Sequence, residues 1–341
     1  MLVLKKMKNV FYIHSHVTLA VSLGIIEKNK IDKKDIVFLL GRGFIYSNNK
    51  IDNIVAIPHD IQSVVNIKSH NILGLILGII RFDKWVNSFC SNCYYLYIPH
   101  SRLPVARGLS THKKCKGFSY IEEGLLSYSN YGFGSDKKDK LGPIIRSALL
   151  PWRRFSSLKY YNSSYQNLFG LNDDAFHGRE RVKRVDGLFY YSPCLDNISF
   201  TEQSSVFVLQ NIGPMSSIAT AVYVSVIIDE LKRQSNNGNS IYYKLHPEQY
   251  FRSESDFFRG LMKCYGAIEL GENVSIEALS IKNPNITLVS LVSSVFFYIP
   301  KDVLSRSVFL FKQFSLYASK EAEEYFVLFP DKYKKIYGMI D

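Results

Sequence analysis

Ser240-Ile241-Tyr242-Tyr243-Lys244-Leu245-His246-Pro247-Glu248 is the stretch whose reading decides the fold. Ile241, Tyr242 and Tyr243 are the residue types a short strand favours. From Glu248 to Tyr265 an apolar stripe of Tyr250, Phe251, Phe257, Phe258, Leu261 and Met262 predicts a helix. Pro247 suits a first helical turn, having no N–H to satisfy, and it biases His246 toward extended geometry. The reading is strand, tight turn, helix, with His246 at the carboxyl end of the strand. Open α/β sheets bind ligands at that end, and an imidazole there can donate a proton near neutral pH. A histidine that merely caps a strand fits these residues as well.

The same pattern recurs in both directions. Before it, Val206 to Leu209 reads as a strand, followed by Gln210-Asn211-Ile212-Gly213-Pro214 and a helix from Ser216 to Gln234. After it come a short strand at Ala267 to Leu270, a compact helix at Val274 to Ser280, and a strand at Ile286 to Val292. That last strand turns at Ser293-Ser294, where backbone N–H groups attract phosphate; ordinary N-capping is the plainer use of such serines. Glu277 is either an acceptor for a ribose diol or a surface acid. The tail adds a strand at Val308 to Phe311 and helical stretches at Leu316 to Phe326 and Pro330 to Met339.

The first half carries its own alternation. Strands are expected at Asn9 to Ile13, Asp35 to Leu40, Asn53 to Ile57, Tyr94 to Ile98 and Gly117 to Ile121. Helical patterns follow the first at Leu19 to Ile26 and the third at Ile61 to Phe82. Strands alternating with helices predict a doubly wound parallel sheet. His14 and His16 close the first strand, as ligand groups or as polar turn residues, and Pro99-His100-Ser101-Arg102 follows the fourth. Gly41-Arg42-Gly43 lacks the further glycine of a dinucleotide fingerprint; a basic turn holding an anion is an open alternative.

Gly117 to Ile121 runs straight into Glu122-Glu123-Gly124. A strand alternates its side chains, so only one acid faces the crevice. Partly desolvated there, it would have the raised pKa that suits a general base, while the other caps the turn or fixes the first. A solvated acidic turn is the bland alternative. From Asn130 to about Asn197 the pattern weakens. Leu141 to Tyr161 mixes apolar residues with Arg146, Arg153, Arg154 and Lys159, which suits an anionic membrane surface or an interdomain helix with a solvated basic face.

At 341 residues the chain suits two medium domains, expected at 1–198 and 199–341. The net charge of +12 favours anionic partners. Lysine and arginine are spread along the chain without a binding motif, which argues against nucleic acid. No run reaches the roughly 18–20 apolar residues that span a bilayer; Ile72 to Ile80 reads as a buried helix. The first residues lack the apolar core of a signal peptide, and the 5 scattered cysteines fit a reducing compartment. Cys90-Ser91-Asn92-Cys93 has no second pair, and Asp173-Asp174 lies in an irregular region, so no metal site is expected.

In order and setting, Glu122-Glu123-Gly124, Lys244-Leu245-His246-Pro247, Ile276-Glu277-Ala278-Leu279 and Ser293-Ser294 resemble the motifs of bacterial sialyltransferases. Those enzymes carry a (D/E)(D/E)G motif in the N-terminal domain, and an HP motif and a serine pair in the C-terminal one. The resemblance implies a GT-B fold, two Rossmann-like domains facing across a cleft. It implies CMP-sialic acid as donor, inversion at the anomeric carbon, and no cofactor or metal. One acid of Glu122-Glu123 would deprotonate the acceptor hydroxyl. His246, next to Pro247, would assist the departing phosphate, Ser293 and Ser294 would bind it, and Lys244 and Glu277 would hold the nucleoside. Asn211 and Gly213 would line the donor pocket by position. The pair is Glu-Glu where the motif admits Asp, so which acid acts stays open.

The acceptor implied is a glycan or lipid-linked oligosaccharide of bacterial surface polysaccharide, whether lipopolysaccharide, lipooligosaccharide or capsule. The enzyme would be cytoplasmic, with peripheral contact to the inner membrane through 141–161. The alternatives are a GT-B transferase of another nucleotide sugar, such as CMP-Kdo or a UDP-sugar, and a basic nucleic-acid-binding protein.

Overall fold

A computed structural model of the chain describes residues 7–46, 51–64, 72–129, 153, 160–161, 163–178, 182–189, 200–201, 203–213, 215–250, 253–328, 331–337 and 339. The chain divides into two compact units, Met1–Leu188 and Phe189–Asp341. The junction expected at 198/199 lies outside the described residues.

The first unit is built on strands β1 (Lys8–Ile13), β2 (Ile36–Leu40), β3 (Ile54–Ala56), β4 (Tyr94–Ile98), β5 (Cys115–Ile121), β6 (Leu168–Gly170) and β7 (Val182–Arg184). They form one sheet in the order β3-β2-β1-β4-β5-β6-β7, and every pairing is parallel. Such strands are covered on both faces and read as continuous apolar runs; Ile36 to Leu40 is buried at every position. Across the middle, Phe11 stacks on Tyr97 with centroids 4.3 Å apart. The chain works outward from β1 to β3, then returns to place β4 on the other side of β1. That reversal makes the β1/β4 gap the switch point where doubly wound sheets bind ligands.

The second unit repeats this on β8 (Ser204–Val208), β9 (Ser240–Lys244), β10 (Ile268–Glu269), β11 (Thr287–Ser290) and β12 (Val308–Phe309). The order is β10-β9-β8-β11-β12, again all parallel. Here the switch point lies between β8 and β11. Two parallel-sheet α/β units of this kind are the GT-B fold the sequence predicts.

The structure departs from the local expectations in several places. Pro247–Gln249 is a 3-10 turn and the helix proper is Glu254–Lys263, because Gln249 turns back on His246. Within that helix Phe258 and Met262 are buried but Phe257 is 52% exposed, so the stripe is narrower than its apolar residues suggest. The apolar run at Ile72 belongs to a longer helix, Ile72–Phe89. It is not wholly buried, since Leu77 and Ile80 face outward. Strands β6 and β7 have 3 residues each and lie where the sequence pattern fades; pairing of β6 to β5 and of β7 to β6 makes them strands.

Most of 141–161 lies outside the described residues. Arg153, counted on its basic face, is buried instead. It donates to the Gly108 carbonyl at 2.7 Å and to Thr111 Oγ1 at 2.9 Å, and pairs with Asp83. Among the described residues no helix is long and apolar enough to cross a membrane.

Candidate active site

Sheet register sets the candidate residues of the first unit. β1 opposes β4 as Phe11 to Tyr97, and three further residues bring His14 opposite His100. β4 opposes β5 as Ile98 to Tyr120, so His100 lies level with Glu122, one residue short of Glu123. β1 opposes β2 as Ile13 to Leu40, which brings the Gly41-Arg42-Gly43 turn to the same edge. Four carboxyl ends thus converge, from segments far apart in sequence.

Local chemistry holds each group. Ser15 caps the helix His16–Lys28 in a capping box with Thr18, and Thr18 Oγ1 also accepts the His14 N–H at 3.1 Å. Gly124 has φ 121°, a left-handed conformation that favours glycine. The chain can therefore leave β5 sharply and return through the 3-10 turn Leu125–Tyr128. That return separates the two acids. Glu122 is 0% exposed; its Oε1 accepts the Tyr128 hydroxyl and its Oε2 the Leu171 N–H, both at 2.6 Å. It ties the turn to the end of β6.

Glu123 faces the other way. Its side chain is 7% exposed, and its Oε2 lies 3.6 Å from His14 Nε2 and 3.7 Å from His100 Nε2. Oε1 accepts the hydroxyl of Tyr160, whose ring stacks on His100 with centroids 4.2 Å apart. Burial pushes the carboxyl up to about 7, against the Tyr160 hydrogen bond and the Arg42 charge, which pull it down. Burial, then the Arg42 charge, holds His14 well below the usual imidazole range and His100 at about 3. Both rings are neutral near neutral pH, so their approaches to Glu123 are not ion pairs. A carboxyl near 7 among neutral rings is a base matched to physiological pH. Arg42 itself is exposed, with φ 54°, a backbone state uncommon for a residue with a side chain.

The second unit presents its residues by the same device. β8 opposes β9 as Val208 to Lys244, which sets His246 level with Gln210. β8 opposes β11 as Val208 to Ser290, which sets Ser293 level with Asn211. Gln249 joins two of these loops: its Oε1 accepts the His246 N–H at 3.0 Å and its Nε2 donates to the Gln210 carbonyl at 2.9 Å. His246 is half-buried and Pro247 exposed. Asn211 is buried, and its Oδ1 accepts the Gly213 N–H at 3.0 Å.

Ser293 caps the single turn Ser294–Phe297, accepting the Val295 N–H at 3.3 Å, and its carbonyl accepts the Tyr337 hydroxyl. Both serines are half-buried. Lys244 is buried and donates to the carbonyls of Glu272 (2.9 Å) and Val274. The loop so held carries Ser275, which donates to Glu277 at 2.7 Å. Glu277 is buried rather than a surface acid, and burial raises its carboxyl against the Ser275 bond and the Lys244 charge.

Sequence reasoning left His14 and Arg42 undecided and passed over His100, Tyr160 and Gln249. His100 had a usable signal, a histidine directly after a predicted strand. Tyr160 had none, because it enters from the irregular stretch. Among the described residues no three His, Cys, Asp or Glu side chains are placed to hold a metal ion.

Residues 9–308 match the family model described as alpha-2,8-polysialyltransferase (POLYST). Among solved structures, the 2,6-sialyltransferase of Vibrionaceae Photobacterium sp. JT-ISH-224, a ternary complex with CMP and lactose, is similar at 14% identity and TM-score 0.50. That match covers 89% of this chain and 70% of the other. The UDP-GlcNAc 2-epimerase of Methanocaldococcus jannaschii is similar at 12% identity and TM-score 0.51, covering 94% and 93%. The GT-B domain of a Photobacterium damselae sialyltransferase aligns at 13% identity and TM-score 0.47, covering 87% and 89%. No curated protein sequence matches this one.

Proposed function

Because the chain belongs to the alpha-2,8-polysialyltransferase family, and so is a glycosyltransferase, we propose that it moves sialic acid from CMP-sialic acid to a hydroxyl of an acceptor that itself ends in sialic acid. The observation that carries this reading is Glu123: a buried carboxyl near 7 at the carboxyl edge of the sheet, with neutral imidazoles beside it. Glu123 Oε2 removes the acceptor proton. The freed oxygen bonds to the anomeric carbon as the carbon–oxygen bond to CMP breaks, with inversion, and the electron pair leaves on the phosphate. His246 donates to that phosphate, and Ser293 and Ser294 add hydroxyl donors. A nucleoside monophosphate carries less charge than a diphosphate, so these donors suffice without a metal ion.

Glu122 and Lys244 act at one remove. Glu122 fixes the turn that aims Glu123, and Lys244 holds the loop that brings Ser275 and Glu277 beside the nucleoside. Asn211, Gly213 and Pro247 shape the loops at either side. Arg42 supplies a cation for the acceptor carboxylate. The product fits a bacterial surface polysaccharide such as a capsule or lipopolysaccharide, built at the cytoplasmic face on a lipid-linked acceptor.

The test is CMP-sialic acid with an acceptor panel, with and without a chelator, read by CMP release and product mass. Growth of sialylated acceptors by whole sialyl units, insensitive to chelator, is expected. Selective UDP release from UDP-sugars, or transfer only from CMP-Kdo, would overturn the donor assignment.

A further inference from the structure

The two oxygens of Glu123 meet different surroundings. Oε1 accepts the Tyr160 hydroxyl. Oε2 faces His14 Nε2 at 3.6 Å and His100 Nε2 at 3.7 Å, just beyond hydrogen-bond reach. The proton on His100 can be located. Its Nδ1 accepts the Arg102 N–H at 3.1 Å, so in the neutral ring that nitrogen carries no hydrogen and Nε2 does. Stacking on Tyr160, at 4.2 Å and 18°, fixes the plane in which that N–H points. His14 is not settled in this way: its Nδ1 has no hydrogen-bond partner among the described residues.

Resting on the assignment of Glu123 as base, we propose that His100 also touches the acceptor, its Nε2–H donating to the same hydroxyl oxygen whose proton Glu123 Oε2 removes. A gap of 3.7 Å admits an oxygen about 2.8 Å from both atoms. The hydroxyl has one proton and two lone pairs. Its proton goes to Glu123 and one lone pair accepts from His100. The other lone pair is left to attack the anomeric carbon, and His100 keeps its own proton throughout. A single fixed donor therefore turns a rotating hydroxyl into an aimed nucleophile.

The groups facing Glu123 are His14 and Tyr12 from the β1 side, Arg42 after β2, His100 after β4, and Tyr160 and Tyr161. Of these His100 alone lends an N–H to the acceptor oxygen.

The experiment compares the wild type with His100→Phe, His100→Gln and Glu123→Gln, using CMP-sialic acid and a sialylated acceptor. Phenylalanine keeps the ring against Tyr160 and removes the donor; glutamine can return an N–H near the place of Nε2. His100→Phe is expected to lower kcat/KM for the acceptor by about 10²-fold, with CMP affinity unchanged. The acid limb of its pH–rate profile should move to higher pH, since the Glu123 anion loses a facing donor. His100→Gln is expected within about tenfold of wild type.

Near-normal transfer by His100→Phe, or a folded His100→Gln no better than His100→Phe, would overturn the role. If His100→Phe does not fold, His100→Gln decides alone: retained transfer supports the donor, and loss in a folded protein refutes it. Loss in Glu123→Gln with normal turnover in His100→Phe would remove this inference and leave the base intact. Full turnover in Glu123→Gln would remove both.

Discussion

Replacing Glu123 by glutamine should abolish transfer and at the same time stabilise the protein, but only at high pH. Unfolded, the carboxyl ionises near 4.5; folded, near 7. Between those values the folded chain holds a proton the unfolded chain has lost, so stability falls as pH rises through the window and stays low above it. The gap of about 2.5, at ~1.36 kcal/mol for each tenfold in proton affinity, makes the ionised carboxylate ~3 kcal/mol unfavourable above pH 7. Glutamine has the same shape and never ionises. It should match the wild type near pH 4.5 and gain up to ~3 kcal/mol by pH 8, a rise in melting temperature of several degrees for a unit of this size. His14 and His100 work in the opposite sense, since both are neutral when folded and stability falls with pH below 6.5. They are present in both proteins and cancel in the difference. Thermal melts of wild type and Glu123→Gln at half-unit steps from pH 4.5 to 8.5 provide the assay. A difference that does not change with pH would show that Glu123 is not a buried, raised carboxyl, and the case for it as base would fall.

The wild-type pH–rate profile should rise with pH through about 7, because Glu123 must be ionised to accept a proton; a rate already at its plateau at pH 5 would contradict this. Glu122→Gln should lose ~1–3 kcal/mol of stability by placing an amide N–H against the Leu171 N–H, visible as a lower denaturant midpoint. Equal stability with a changed catalytic limb would reverse the two acids. Gly124→Ala forces a side chain into φ 121°, with an expected loss of ~1–3 kcal/mol, measured by chemical unfolding. His246→Ala should lower kcat by about 10²–10⁴-fold with little change in melting, since the imidazole is half-buried; unchanged turnover would remove it from the leaving-group side.

The alternation of strands and helices was written in the chain itself. Apolar runs at Asn9, Asp35, Tyr94, Val206 and Ile286 each fix a strand, because burial on both faces of a parallel sheet demands continuous apolar side chains. His246, Glu122-Glu123 and Ser293 could be placed at strand ends for the same reason, from residues within a few positions of one another. The division of labour between Glu122 and Glu123 could not. It depends on Gly124 turning the chain back and on the Leu171 N–H arriving from a strand too short to show a pattern. Nor could the company of Glu123 be read. His14, Arg42, His100 and Tyr160 are near neighbours only because the strands lie in the spatial order β2-β1-β4-β5. Sheet order is set by which buried faces pack together, and that information is spread over the whole unit rather than held in any one stretch of it.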